Sequence, residues 1–373
     1  MNDTEHPGLY IHVPFCRTKC PYCDFYSVTS LSSVPDWLKA LQKEILLYRD
    51  RFHSFDSLYL GGGTPTLLSG RELTTLLDCL FSHFTFSSDT EVTIEANPDD
   101  ITLEKIILFR ELGINRISLG VQSFNEKELQ FLRRRHTARQ AEQALEMIRG
   151  SGFINVGVDL IYGFPGQTET VWLKTLKHAL DFTPEHLSCY QMTLEEGTPL
   201  GRMLKEGLIA PLGEKKERTL FLLTATLLEE HEYIHYEISN FAREEHYFSR
   251  HNRKYWHRVP YLGLGPAAHS FREGVRWWNT RSVEQYCHML AEGKLPVEGT
   301  EILSFEQHRL EMLYLGFRTR EGIDLDFLRN HPESDKVLRE LQGSGLVEVH
   351  NGRVISTRKG FLVADSLPLL FCQ

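Results

Sequence analysis

Six short apolar runs, at residues 9–13, 57–60, 92–95, 116–119, 156–160 and 186–191, alternate with stretches long enough to hold a helix. This alternation limits the folds open to the chain more than any other feature. Between the runs the apolar spacing lengthens: Trp37, Leu41, Ile45 and Tyr48 share one face of segment 36–48. The pattern over 102–112 stops at Gly113, a residue suited to a left-handed helix end. Strand and helix in strict alternation imply parallel strands joined by right-handed crossovers. Six units instead of eight favour a partial (β/α)6 barrel of the α/β class, although an open doubly wound sheet gives the same string. In either architecture ligands gather at the C-terminal ends of the strands.

A chain of 373 residues, 41% hydrophobic and 24% charged, can bury one large core and a smaller satellite. Residues 1–7 are polar and no stretch reaches the eighteen or so apolar residues that cross a bilayer, so a cytoplasmic protein without a spanning segment is expected. The net charge of -9 argues against nucleic acid as the main partner. From about residue 304 the pattern turns to successive helices. It ends in residues 346–356, where Asn351-Gly352 sits between alternating strands. That is a winged-helix-like pattern, and in an acidic chain it reads as an accessory domain that covers or gates the barrel. The expected division is a barrel over 1–240, a connecting segment over 241–300 and the C-terminal domain over 301–373.

Three of the seven cysteines crowd into Cys16, Cys20 and Cys23, just past the first run. This pattern suggests metal ligation in a reducing compartment rather than a disulfide framework. Thiolates spaced by three and then two residues can hold three irons of a cubane cluster and leave the fourth open. A zinc site completed by His12 is the rival, and chance crowding of buried thiols the plainer one. After the second run comes Leu60-Gly61-Gly62-Gly63-Thr64-Pro65-Thr66, where glycines let the backbone approach a ligand. It lacks the Gly-Lys-Ser/Thr ending of a phosphate loop. Glu95, Gln122 and Asp159 fall at or just past the ends of the next three runs, and Arg134 lies in Leu-Arg-Arg-Arg-His. Taken singly, such acids cap helices and such arginines face solvent. Converging, they could line a ligand site.

The Cys-x3-Cys-x2-Cys loop, with Tyr22 just before its third cysteine, resembles that of radical S-adenosylmethionine proteins. There the three cysteines hold a [4Fe-4S] cluster, and the methionine end of S-adenosylmethionine chelates the fourth iron. The order of the motifs resembles the oxygen-independent coproporphyrinogen III oxidase branch. That resemblance implies cofactor contacts at Tyr10, Tyr22, Gly62, Gly63, Thr64, Glu95, Gln122, Arg134 and Asp159. Two features depart from the oxidase: Phe25 stands where it has a fourth motif cysteine, and nine residues precede Tyr10 where it has a long extension. Oxidase activity is therefore the alternative expectation.

Both departures resemble the heme chaperone subgroup of this branch. So does His251-Asn252-Arg253-Lys254-Tyr255-Trp256, which matches its His-Asn-x-x-Tyr-Trp motif. The resemblance implies heme binding by His251, Asn252, Tyr255 and Trp256 and heme transfer to respiratory acceptor proteins. It also leaves room for peripheral membrane association. Neutral imidazole is a common axial ligand. A lone histidine on a mobile surface would suit a carrier that must let go, with His246, His257 or His269 available as a second ligand.

Overall fold

The computed structural model describes residues 6–329 and 334–371. All six apolar runs form strands: β1 (Gly8–Val13), β2 (Ser54–Gly62), β3 (Thr85–Ala96), β4 (Arg116–Gln122), β5 (Val156–Tyr162) and β6 (His186–Gln191). They lie side by side in chain order and each pair is parallel. The crossovers carry α1 (Val34–Tyr48), α2 (Gly70–His83), α3 (Leu103–Glu111), then α4 (Glu126–Phe131) with α5 (Ala138–Gly150), and α6 (Glu169–Asp181). Helix starts are set locally: Ser69 with Glu72 and Thr137 with Gln140 make reciprocal capping boxes. Gly113 ends the α3 segment with φ +80°.

The sheet continues past both ends of this parallel set. After α7 (Pro199–Lys205) and α8 (Glu214–Glu230), β7 (Ile234–Glu237) and β8 (Asn240–Ala242) form a hairpin whose second strand, β8, pairs antiparallel with β6. Residues 241–300 carry α9 (Arg250–His257), β9 (Tyr261–Leu264), β10 (His269–Arg272), β11 (Val275–Asn279) and α10 (Val283–Ala291). With β12 (Val297–Ile302), these strands extend the sheet beyond β1. Because β1 pairs with β9 and β6 with β8, the barrel stays open.

The outer face of the sheet is covered as the periodicity predicts, with Trp37, Leu41, Ile45 and Tyr48 of α1 buried among Ile11, Leu58 and Leu60. The inner face is polar at alternate positions. In register, Tyr10 of β1 meets Tyr59 of β2, which meets Thr93 of β3, which meets Arg116 of β4. A parallel strand buried on both faces ordinarily reads as a continuous apolar run. Polar residues at every second position therefore give the barrel a polar inner face.

The C-terminal part has its own core of Leu313, Phe317, Leu338, Val354 and Phe371. It comprises α11 (Phe305–Gly316), β13 (Ile323–Asp324), α12 (Leu325–Arg329), α13 (Ser334–Gly343), β14 (Val347–His350), β15 (Arg353–Ser356) and α14 (Arg358–Phe361). The Asn-Gly hairpin forms where the sequence puts it, with Asn351 at φ 50° and Gly352 at φ 74°. This part is tied to the main sheet through backbone. Ile238 N–H donates to Arg318 O at 3.0 Å, and Arg320 N–H to Tyr236 O at 2.9 Å, along the outer edge of β7.

Candidate functional site

The cysteine loop leaves the C-terminal end of β1 and is pinned at its base: Cys16 N–H donates to Val28 O at 3.0 Å and Val28 N–H to Pro14 O at 2.7 Å. The glycine segment packs against it. A Cβ on Gly63 would stand 2.5 Å from Phe15 O, and one on Gly62, whose φ is +105°, would stand 2.6 Å from the His12 ring. Cys16, Cys20 and Cys23 all border one cavity of about 680 Å³. Donors face two of the thiols, as suits thiolates: Thr64 Oγ1 lies 3.6 Å from Cys16 Sγ, and Arg134 Nη1 lies 3.5 Å from Cys20 Sγ. Among the described residues no three His, Cys, Asp or Glu side chains converge on a single metal position. The thiols instead share a cavity wall. His12, the rival zinc ligand, has both ring nitrogens bonded, to Tyr10 Oη at 3.0 Å and Tyr26 O at 2.8 Å.

Eight of the nine residues implied as cofactor contacts line the same cavity: Tyr22, Gly62, Gly63, Thr64, Glu95, Gln122, Arg134 and Asp159. Glu95 accepts from Tyr59 Oη at 2.8 Å and from Gly62 N–H at 3.1 Å, and burial pushes its carboxyl up to about 7. Asp159, also raised by burial, accepts from Ser118 Oγ at 3.0 Å. Gln122 follows a register shift in β4 and has φ 68°, a strained value for a residue with a side chain, which the fold holds where it borders the cavity. Arg134 is fixed by Gly120 O at 2.8 Å, by Asn97 Oδ1 and by Tyr22 Oη at 3.5 Å.

Tyr10, the ninth, borders a second cavity of about 430 Å³ with His251, Asn252 and Tyr255. The two cavities adjoin, sharing Asp24, Phe25, Tyr59, Gly62, Glu95, Tyr190 and Asn252. Helix α9 brings the distant His251 here by lying against β1 and β2, with Glu91 of β3 at its start. Glu91 accepts from the N–H groups of Arg250 and His251, both at 3.2 Å, and Lys254 Nζ bonds Asp56 Oδ2 at 2.9 Å. His251 is only 1% exposed, which corrects the expectation of a surface ligand. Its Nδ1 lies 3.1 Å from Ser57 Oγ and its Nε2 2.8 Å from Tyr255 Oη. Tyr59 and Tyr10 flank its ring with centroids at 5.2 and 6.1 Å. Burial, with Lys254 and Arg116 adding repulsion, lowers its pKa to about 3, so the imidazole is neutral near pH 7.

Trp256 lines neither cavity. His246 and His257 also lie outside both, paired with Glu244 at 3.3 Å and Glu321 at 3.8 Å; His269 borders the smaller cavity. Sequence reasoning passed over Tyr59, Asn97, Arg116, Ser118 and Tyr190, which also line the larger cavity.

Residues 10–179 match the model of the radical SAM superfamily and residues 303–363 that of the HemN C-terminal domain. The protein named heme chaperone HemW of Mycobacterium tuberculosis is 36% identical over 96% of this chain and 93% of its own. That of Bacillus subtilis is 33% identical over 96% and 97%, and that of Escherichia coli 36% identical over 89% and 90%. Among solved structures, the coproporphyrinogen III oxidase HemN of Escherichia coli superposes with a TM-score of 0.85 at 24% identity, over 98% of this chain and 90% of that one. At that identity the likeness speaks for the fold alone.

Proposed function

The chain belongs to the HemW family of the radical S-adenosylmethionine superfamily, and from that premise we propose that it binds heme and hands it to acceptor proteins, with a [4Fe-4S] cluster and exchangeable S-adenosylmethionine beside the heme site. One observation carries the reading: His251 and the three cysteines, more than two hundred residues apart, border adjoining cavities with a common wall.

Cys16, Cys20 and Cys23 would hold the cluster. When bound, it supplies an open iron for the methionine end of the cofactor and one-electron reducing power. Around it, Arg134 fixes the orientation of Tyr22 and donates toward Cys20, Glu95 offers a carboxyl for a cationic end, and Asp159 offers an acceptor for hydroxyls. His251 supplies a neutral imidazole with a hydroxyl at each ring nitrogen. If Nδ1–H donates to Ser57, Nε2 keeps its lone pair and accepts from Tyr255, and an incoming iron would displace that hydroxyl. His269, at the rim of the same cavity, is the second ligand best placed among those weighed. We assign Asn252 and Tyr255 to this site and leave Trp256 outside its lining.

The alternative, porphyrinogen oxidation, is disfavoured by Phe25, which is 67% exposed where both cavities open and offers no thiol. We read residues 1–240 and 241–300 as the two walls of one site and 301–373 as an accessory domain. No helix among the described residues is long and apolar enough to cross a membrane, and a cytoplasmic carrier that meets its acceptors at a membrane surface fits the reading.

The test is an anaerobic heme titration of reconstituted wild type and His251→Ala, with iron and sulfide counted in the same samples. Stoichiometric uptake lost in the variant supports the proposal. Equal weak uptake by both removes His251 from the site and makes turnover of coproporphyrinogen III with S-adenosylmethionine the next assay.

A further inference from the structure

The larger cavity has in its wall a buried cation with two unpaired nitrogens. Arg116, the first residue of β4, is 1% exposed, and its Nε and Nη1 have no partner among the described residues. Two neighbours share this condition. The Thr93 hydroxyl, next to Arg116 in the register row, and Nδ1 of His186 are also buried and unpaired. Gly157 leaves a notch between them: a Cβ there would stand 3.5 Å from both Arg116 Nη2 and His186 Nδ1. Glu91 and Asp159 attract this charge from nearby, but their hydrogen bonds go to the start of α9 and to Ser118 and leave the two nitrogens unpaired. Buried guanidinium N–H groups left without acceptors are costly, and a ligand acceptor would satisfy them.

We propose that Arg116, which borders the larger cavity where it adjoins the smaller one, is the subsite for a ligand carboxylate, namely one propionate of a heme whose iron is carried by His251. The assignment rests on the chaperone reading. It favours the porphyrin over the methionine carboxylate because of position. Arg134 faces the cysteines, whereas Arg116 ends the row containing Tyr10 and Tyr59, the two tyrosines that flank the His251 ring. Guanidinium and carboxylate match as a two-pronged pair, and the propionates are the anionic groups of heme.

The test uses the full chain with its cluster reconstituted. Heme and its dimethyl ester are titrated into wild type, Arg116→Met and Arg116→Lys, with S-adenosylmethionine binding and thermal unfolding measured on the same samples. Wild type is expected to prefer the free acid by about tenfold, roughly the value of one buried charge-assisted contact. Arg116→Met should lose that preference, Arg116→Lys should keep part of it, and cofactor binding should be unchanged in both. Equal binding of acid and ester by wild type overturns the proposal, as does a preference that survives in Arg116→Met. Selective loss of S-adenosylmethionine binding in that variant would overturn it in favour of the methionine carboxylate. If neither variant folds, the wild-type comparison still decides. Wild type that takes up neither form refutes the chaperone reading itself, a separate failure.

Discussion

The Nε2 atom of His251 lies 2.8 Å from the hydroxyl oxygen of Tyr255, one turn further along α9. The nitrogen that would meet an iron is thus already engaged by a neighbour in the same motif. With the proton on Nδ1, Tyr255 would donate to the lone pair of Nε2, and an entering iron would have to displace it.

Removing that hydroxyl should ease heme entry. Tyr255→Phe deletes one hydrogen bond, worth about 1 kcal/mol net, so heme affinity is expected to rise about fivefold. Optical titration with iron and sulfide counts checks it. Weaker binding would instead make the tyrosine a contact of the bound heme.

The imidazole can be displaced without being mutated. A Cβ at Gly8 would come within 3.0 Å of both His251 Nδ1 and Ser57 Oγ. Gly8→Ala should therefore tilt the ring and lower heme affinity by about tenfold, or about 1.4 kcal/mol. Cofactor binding, measured by equilibrium dialysis, should not change.

The pair Lys254–Asp56 fastens α9 to β2, with the two side chains 6% and 16% exposed. Deleting one member leaves the other charged and buried, so Asp56→Leu should cost about 3 kcal/mol in a denaturant midpoint analysis. Lys254→Met in the same chain should recover most of that loss. Recovery would show that the damage comes from the orphaned charge rather than from lost packing.

Glu95 should make cofactor binding depend on pH. Burial raises its carboxyl to about 7, so it is largely neutral at pH 6 and an anion at pH 8. Holding the cationic end of S-adenosylmethionine favours the anion, so affinity should rise with pH up to about 7, by at most about tenfold per unit, and then level off. Glu95→Gln should bind more weakly and show no such rise in calorimetry at matched pH values.

The sequence discloses the β1–β6 barrel because each strand there is an apolar run between helix-length spacers. It discloses less of the flanking sheet: β9 and β10 are four residues each, too short for periodicity to register against the aromatics around them. The cysteines and the glycine segment are legible because their chemistry is local. The position of His251 is not, since the spacing of 251 and 255 places both on one helix face without saying that the helix lies beneath the barrel. Arg116 and Tyr59 were within reach. Their clue is the alternation of Arg116, Ser118 and Gly120 along β4, where a sealed strand would carry unbroken Val, Ile and Leu.

The hydrogen bonds that Arg318 and Arg320 make along β7 give the C-terminal part a second duty. They bandage a raw edge. Cut away at residue 303, the shortened chain would bare a row of amide and carbonyl groups on that side of the sheet, an open template for another strand. Its first fault would then be clumping with copies of itself, before any question of how well it carries its load.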